Sequence, residues 1–232
     1  MTLRIFVGWD SREQEAYEVA RYSLIKRASV PVTIEPIKIE DMRRAGLYWR
    51  EADPLASTEF TYTRFLTPTL ANYSGWALFC DCDFLWLGDI AGLLKYTKSP
   101  RAVHCVQHRY EPTDTSKMDG ATQTNYPRKN WSSLMLMNCD HPQVQSLTPD
   151  VVNRESGAYL HRMQWVDDDN IGSLPVQWNW LEGWNFKPTA HVPKAVHFTR
   201  GGPWLEQYQD ADYADLWRAE RDEMNLSLEK CA

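Results

Sequence analysis

Several features that would announce a function are missing from this sequence. It has no Gly-x-Gly-x-x-Gly and no Walker loop, which disfavours nicotinamide cofactors and P-loop chemistry. It has no excess of basic charge: 25 Lys and Arg stand against 31 Asp and Glu, a net charge of −6. That balance excludes the electrostatic footprint of a nucleic-acid binder, although a metal or local cations can still hold a small nucleotide diphosphate. No apolar run reaches the roughly 20 residues of a membrane-spanning helix, and Met1-Thr2-Leu3-Arg4 runs straight into a strand rather than into a basic and apolar leader. Cysteine is sparse and odd in number (Cys80, Cys82, Cys105, Cys139, Cys231), and several lie inside apparent strands, as free thiols in a reducing compartment do. A cytoplasmic protein is therefore expected. Cys80-x-Cys82 has no second Cys or His pair at zinc spacing, so these read as packing thiols. No repeat and no linker divides the 232 residues, so one α/β domain over 1–232 is expected.

What is present is globular: 43% hydrophobic and 24% charged residues exclude a largely disordered chain. Eleven Trp and eleven Tyr fit either a sugar-binding cleft or an aromatic-rich core, and composition leaves both open.

The stretch from Trp76 to Trp86 reads as a buried strand interrupted near its end by Asp81 and Asp83. Alternation along a strand puts Asp81 and Asp83 on one face and Cys80 and Cys82 on the other. Two carboxylates that close on apolar ground are costly to ionise without a cation or several donors between them, and a divalent metal is the simplest such cation. The carboxyl end of a strand in an open α/β sheet is also where ligands bind. The plain alternative is a strand end whose acids serve the next helix, with Asp89 a candidate cap for the residues from Ile90.

Around this stretch, Leu3–Trp9 reads as a strand, Arg12 to Ile25 as a helix and Pro31–Ile39 as a second strand, a β-α-β opening. Met42–Ser57 reads as a surface loop, and Thr58–Tyr73 as a helix that carries Arg64 and is kinked at Pro68. By itself Arg64 is a solvated helix charge. A short helix over Asp89–Tyr96 and strands over Ala102–His108 and Ser132–Cys139 follow, separated by a polar stretch over 110–130 that suits a lid or acceptor loop. Thr148–Trp165 reads as a helix and Asp167-Asp168-Asp169 as an acidic loop, for which solvated acid is the bland reading. Ala195–Trp204 is a last strand opening into a glycine turn, and Tyr213–Asn225 an amphipathic helix. His197 in that last strand, taken alone, reads as a buried imidazole.

In that order the pieces resemble a GT-A glycosyltransferase, and most of all glycosyltransferase family 8, the group of glycogenin and the bacterial lipopolysaccharide galactosyltransferases. The resemblance runs from Leu3 to about Trp204 and rests on Asp81-x-Asp83, Leu174-Pro175-x-x-Trp178-Asn179 and His197-Phe198-x-x-Gly201-x-Pro203-Trp204. It implies a Rossmann-like nucleotide-sugar-binding fold with a mixed, mostly parallel sheet. It also implies transfer of a sugar from a UDP-sugar to a carbohydrate or glycan hydroxyl, with retention. Asp81, Asp83 and His197 would hold Mn²⁺, with Mg²⁺ as a substitute. The donor would be met by Val7, Gly8, Asp10, Arg64, the Asp81-Cys82-Asp83 run and Arg200-Gly201-Gly202, and its sugar by the catalytic candidates Asp167 and Asp168. The chain departs from the family at Gly202, where a lysine usually precedes Pro-Trp; Arg200 is the nearby cation that could replace it. It departs again at Trp131-Ser132-Ser133, where Asn-Ala-Gly or Asn-Ser-Gly is usual, and in the acidic loop, which lacks a Gln. Two rivals stay open: a haloacid-dehalogenase-type phosphatase, and a nucleotide-sugar-binding protein without turnover.

Overall fold

The computed structural model describes residues 2–54, 56–109, 127–185 and 192–230. Its strands are β1 (Leu3–Gly8), β2 (Val32–Ile37), β3 (Trp76–Cys80), β4 (Phe84–Trp86), β5 (Val103–Cys105), β6 (Leu134–Asn138), β7 (Ile171–Ser173), β8 (Trp180–Leu181) and β9 (Ala195–His197). Its α-helices are α1 (Gln14–Arg27), α2 (Ile39–Arg44), α3 (Thr67–Leu70), α4 (Pro142–Gln145), α5 (Pro149–Arg154), α6 (Gly157–His161) and α7 (Ala214–Glu229).

Six strands form one sheet in the order β2-β1-β3-β6-β5-β7. Only β6 runs against its neighbours; the β1–β2, β1–β3 and β5–β7 pairs are parallel. The mixed, mostly parallel sheet expected from the sequence is therefore present. β1 and β3 are buried along almost their whole length, as continuous apolar strands flanked on both sides must be. Pro36 lies in β2, the edge strand, where a missing N–H costs no ladder bond.

The run from Trp76 to Trp86 is not one strand. The chain leaves β3 at Cys80, bends through Asp81, Cys82 and Asp83, and enters β4, which belongs to a second sheet ordered β4-β9-β8. Thr58–Tyr73 is likewise broken, into a 3-10 turn (Thr63–Leu66) and α3. Pro68 stands in the first turn of α3, where its missing donor is harmless, so it starts a helix rather than kinking one. Thr148–Trp165 splits into α5 and α6, because Ser156 caps a new helix by accepting from the Tyr159 N–H at 3.1 Å. Asp89 does cap the following turn, accepting from Ala91 N at 2.9 Å. The expected lid falls largely on residues 110–126, outside the described residues.

Two apolar clusters fill the interior. The larger lies on the six-stranded sheet; the smaller joins Val19, Leu85, Val196, Phe198, Trp217 and Met224 beneath the second sheet. α7 is fastened to α1 by Arg27 on Glu220 and by Lys26 on Glu223 at 2.5 Å. Trp86, Trp178 and Trp217 are fully buried, so for these the core reading of the aromatics holds. The four described cysteines are buried and free, and no described helix is long and apolar enough to cross a membrane.

Gly8 ends β1 directly under the Phe60 ring, and a Cβ there would lie 2.5 Å from ring carbons. Phe60 is itself buried, so the ring has little room to retreat. Gly8→Ala is expected to destabilise the protein by about 1–3 kcal/mol in urea unfolding. An unchanged midpoint would show that the ring gives way freely.

Candidate metal and donor site

The bend between the two sheets is pinned at both ends. The Asp81 N–H donates to Ser133 O at 2.9 Å, extending the β3–β6 side, while Asp83 O accepts the Phe198 N–H at 3.0 Å on the β4–β9 side. Asp81 and Asp83 point toward solvent access, with side chains 13% and 15% exposed, and Cys82 is wholly buried. The facing deduced for a strand is thus realised by an anchored bend. β9 supplies His197, and ligand atoms of Asp81, Asp83 and His197 lie within 4.8 Å of one another.

Each member has a defined partner. Arg64 Nη1 donates to Asp81 Oδ1 at 2.8 Å and to Ser132 O at 3.1 Å, and its guanidinium stands 5.2 Å from the Phe60 and Phe79 ring centres. Buried and paired in this way, Arg64 is not a solvated helix charge. His197 stacks on Phe84 at 4.6 Å, and its Nδ1 lies 2.9 Å from Asn179 Oδ1. A carbonyl oxygen at that place needs an N–H, so Nδ1 carries a proton, and Nε2 stands 3.3 Å from Asp83 Oδ2. Among the described residues, Asp83 Oδ1 is buried with no hydrogen-bond partner. Two carboxylates this close, one with an oxygen that no described group donates to, favour a cation between them. Two carboxylates and one imidazole suit a divalent ion of the Mn²⁺ or Mg²⁺ kind.

Other expected site residues are differently engaged. Asp10 is fully buried: Oδ1 accepts Arg12 N and Nε, and Oδ2 accepts Arg12 Nη2 and Glu59 N. Burial opposes its ionisation, yet these hydrogen bonds win and hold its carboxyl below the ordinary value. Val7 lies in the sheet between Pro36 and Cys80, Gly8 lies under Phe60, and the Cys82 thiol turns away to donate to Glu13 Oε2 at 3.5 Å. Asp167 and Asp168 are exposed, Asp167 held by Gln143 of α4 at 2.7 Å and Asp168 by Arg128 at 2.5 Å. Arg200 donates to Glu182 at 3.1 Å, and Gly201 caps the turn after β9 through Phe198 O at 2.8 Å. At Gly202 a Cβ would lie 2.1 Å from the Trp204 ring, so the indole fills the place where the resemblance would put a lysine. A cavity of about 410 Å³, lined by Trp9, Tyr17, Arg21 and Lys38 among others, contains none of the triad. Ligand chemistry rather than concavity marks this site.

Sequence reading missed three neighbours. Glu13 is buried against the bend; burial first, then Asp83 and Asp10, push its carboxyl up to about 8. Its Asp-x-x-Glu spacing from Asp10 reads as a helix capping box, which hides the role. His108 is pushed down to about 3 by burial first and then by His197. Asn179 itself was visible in the Leu-Pro-x-x-Trp-Asn motif but carried no assigned task.

No family model matches the chain. Among solved structures it resembles the WbbM bifunctional glycosyltransferase (TM-score 0.67, 14% identity, 95% of this chain and 49% of that one). It also resembles GlyE of Streptococcus pneumoniae TIGR4 (0.64, 15% identity, 100% and 64%) and the galactosyltransferase LgtC (0.59, 13% identity, 95% of each). The chain thus spans about half of WbbM and under two thirds of GlyE. The fold is that of the GT-A glycosyltransferases. Within that fold the chain belongs to the family of Protein CDI of Arabidopsis thaliana, to which it is 54% identical over 230 residues, covering 98% of this chain and 89% of that protein.

A carboxyl whose folded pKa is raised contributes stability that is complete below its unfolded value and is lost as pH rises through the folded one. For Glu13 that window runs from 4.5 to about 8. In EDTA, wild-type stability is expected to fall across it by at most about 1.4 kcal/mol per pH unit relative to Glu13→Gln, which stays neutral. Parallel pH profiles from denaturant titrations would remove Glu13 as the cause.

Proposed function

We propose that the protein is a metal-dependent glycosyltransferase that moves a sugar from a UDP-sugar to a carbohydrate hydroxyl with retention, the whole chain forming one transferase domain. The observation that carries this reading is the convergence of Asp81, Asp83 and His197 at the carboxyl end of β3 in a GT-A fold. LgtC, a galactosyltransferase of that fold, was solved with donor and acceptor sugar analogues, which supports the same substrate classes here. The resemblance to family 8 favours Mn²⁺ as the ion.

A bound divalent ion supplies Lewis-acid neutralisation of the leaving diphosphate, worth several kcal/mol of transition-state charge. The chain's own residues prepare for it. Arg64 holds one oxygen of Asp81 and so fixes the carboxylate's rotation. Phe84 and Asn179 hold the His197 ring with Nε2 toward Asp83. Asp168, exposed and tethered by Arg128, positions donor hydroxyls, and Asp167 braces the loop through Gln143. Retention leaves the acceptor proton to the departing phosphate oxygen, so these acids orient rather than abstract. Arg200 would have to leave Glu182 to reach a diphosphate. That engagement favours a second reading, a nucleotide-sugar-binding protein without turnover.

Calorimetry with UDP is expected to show binding in Mn²⁺ and none in EDTA; equal affinity in both would sink the metal assignment. With an active donor–acceptor pair, Asp83→Ala is expected to lower turnover by about 10² to 10⁴, at about 1.4 kcal/mol per decade, while the protein stays folded. Mn²⁺-dependent binding across a panel of nucleotide sugars, with neither transfer nor hydrolysis of any, would select the binding protein instead.

A further inference from the structure

We propose that Asn179 is a positioning residue of this site: its carboxamide fixes the ring proton of His197 on Nδ1 and ties that histidine to the backbone that carries Asp81. The inference rests on the reading of Asp81, Asp83 and His197 as metal ligands and deepens it. Asn179 is completely buried, between the short 3-10 turn Val176–Trp178 and β8. The orientation of its amide follows from its neighbours. The Asn130 carbonyl can only accept, and it lies 3.4 Å from Nδ2. Ser133 Oγ gives its own proton to that carbonyl at 2.8 Å, and therefore accepts from Nδ2, also at 2.8 Å. Oδ1 is left facing His197 Nδ1.

The same side chain closes a path between the two sheets. From His197 in β9 the path passes through the Asn179 amide to Ser133 Oγ, and from the Ser133 carbonyl to the Asp81 N–H. One residue thus sets both the tautomer of the histidine and its register against the first aspartate. The alternative arrangement is close at hand. A neutral ring with its proton on Nε2 would hydrogen-bond Asp83 Oδ2 across the existing 3.3 Å and offer no lone pair to a cation. Asn179 decides between that closed pair and an open ligand set, the task that partners of ligating histidines perform in metal sites generally.

The test uses ring ¹⁵N NMR of the full chain in EDTA, with the His197 signals assigned through His197→Gln, followed by titration with Mn²⁺ alone. Wild type is expected to carry its proton on Nδ1. In Asn179→Leu, which has nearly the same volume and no acceptor, the ring is expected to shift toward Nε2–H, and Mn²⁺ affinity to fall about 10- to 100-fold. Ser133→Ala cuts the tie but leaves the acceptor; it is expected to keep the Nδ1–H form and to weaken Mn²⁺ by a smaller factor. It also serves as the readout where Asn179→Leu fails to fold. An Nε2–H ring in the wild type, a folded Asn179→Leu that binds Mn²⁺ as wild type does, or an Nε2–H ring in Ser133→Ala would each overturn the proposal. A wild type with Nδ1–H that binds no Mn²⁺ supports the proton assignment and overturns the metal reading, so the two fail separately.

Discussion

The structure turns on one electrostatic constraint: two carboxylates and an imidazole are crowded together at the seam between two sheets. None of the three can relax away. Asp81 is pinned through its backbone to β6 and through its side chain to Arg64, Asp83 through its backbone to the residue after β9, and His197 by a ring stack and a buried amide. The fold has spent hydrogen bonds on keeping negative potential in one small volume. Arg64 offsets one carboxylate and leaves the other with a bare oxygen, so the remaining demand is for a compact positive ion rather than another side chain.

The surroundings are arranged so that this demand is not diluted. Glu13 stands beside the bend and His108 near His197, and burial drives each toward its uncharged form, the acid up to about 8 and the base down to about 3. At neutral pH neither adds a charge. The negative potential therefore belongs chiefly to Asp81 and Asp83, while Asp10, close in sequence to Glu13 and also acidic, is paired with the Arg12 guanidinium. A charged His108 would repel the cation.

How much of this could be read from the residues depended on whether the signal was local. The buried strands β1, β3 and β6 announce themselves by apolar runs, interrupted in β1 only at Arg4, and the order of elements was enough to suggest the GT-A arrangement. Side-chain alternation gave the right facing for Asp81 and Asp83 for the wrong reason, because nothing in Trp76–Trp86 marks the point at which the chain changes sheets. That switch is decided by pairing with β9, more than a hundred residues away. The broken helices at Thr58–Tyr73 and Thr148–Trp165 were legible in part, through Pro68 and Ser156, but periodicity outweighed the caps. The tasks of Asn179, Glu13 and the Glu182 partner of Arg200 were hidden for a common reason. A buried polar residue is defined by what it meets, and each of these meets partners distant in sequence.

The small second core changes what counts as part of the site. Along β9, Val196 faces the cluster that holds Trp217 and Met224 of α7, while His197, next in the strand, faces the carboxylates. Helix α7 contributes no ligand and no donor contact, yet it is the wall against which the histidine's strand is set. The six-stranded sheet could keep its own core without that wall, since none of the larger cluster's buried members comes from α7. Because Val196 and His197 are neighbours in one strand, a smaller side chain at Trp217 would loosen the support of that strand as well as the small core itself.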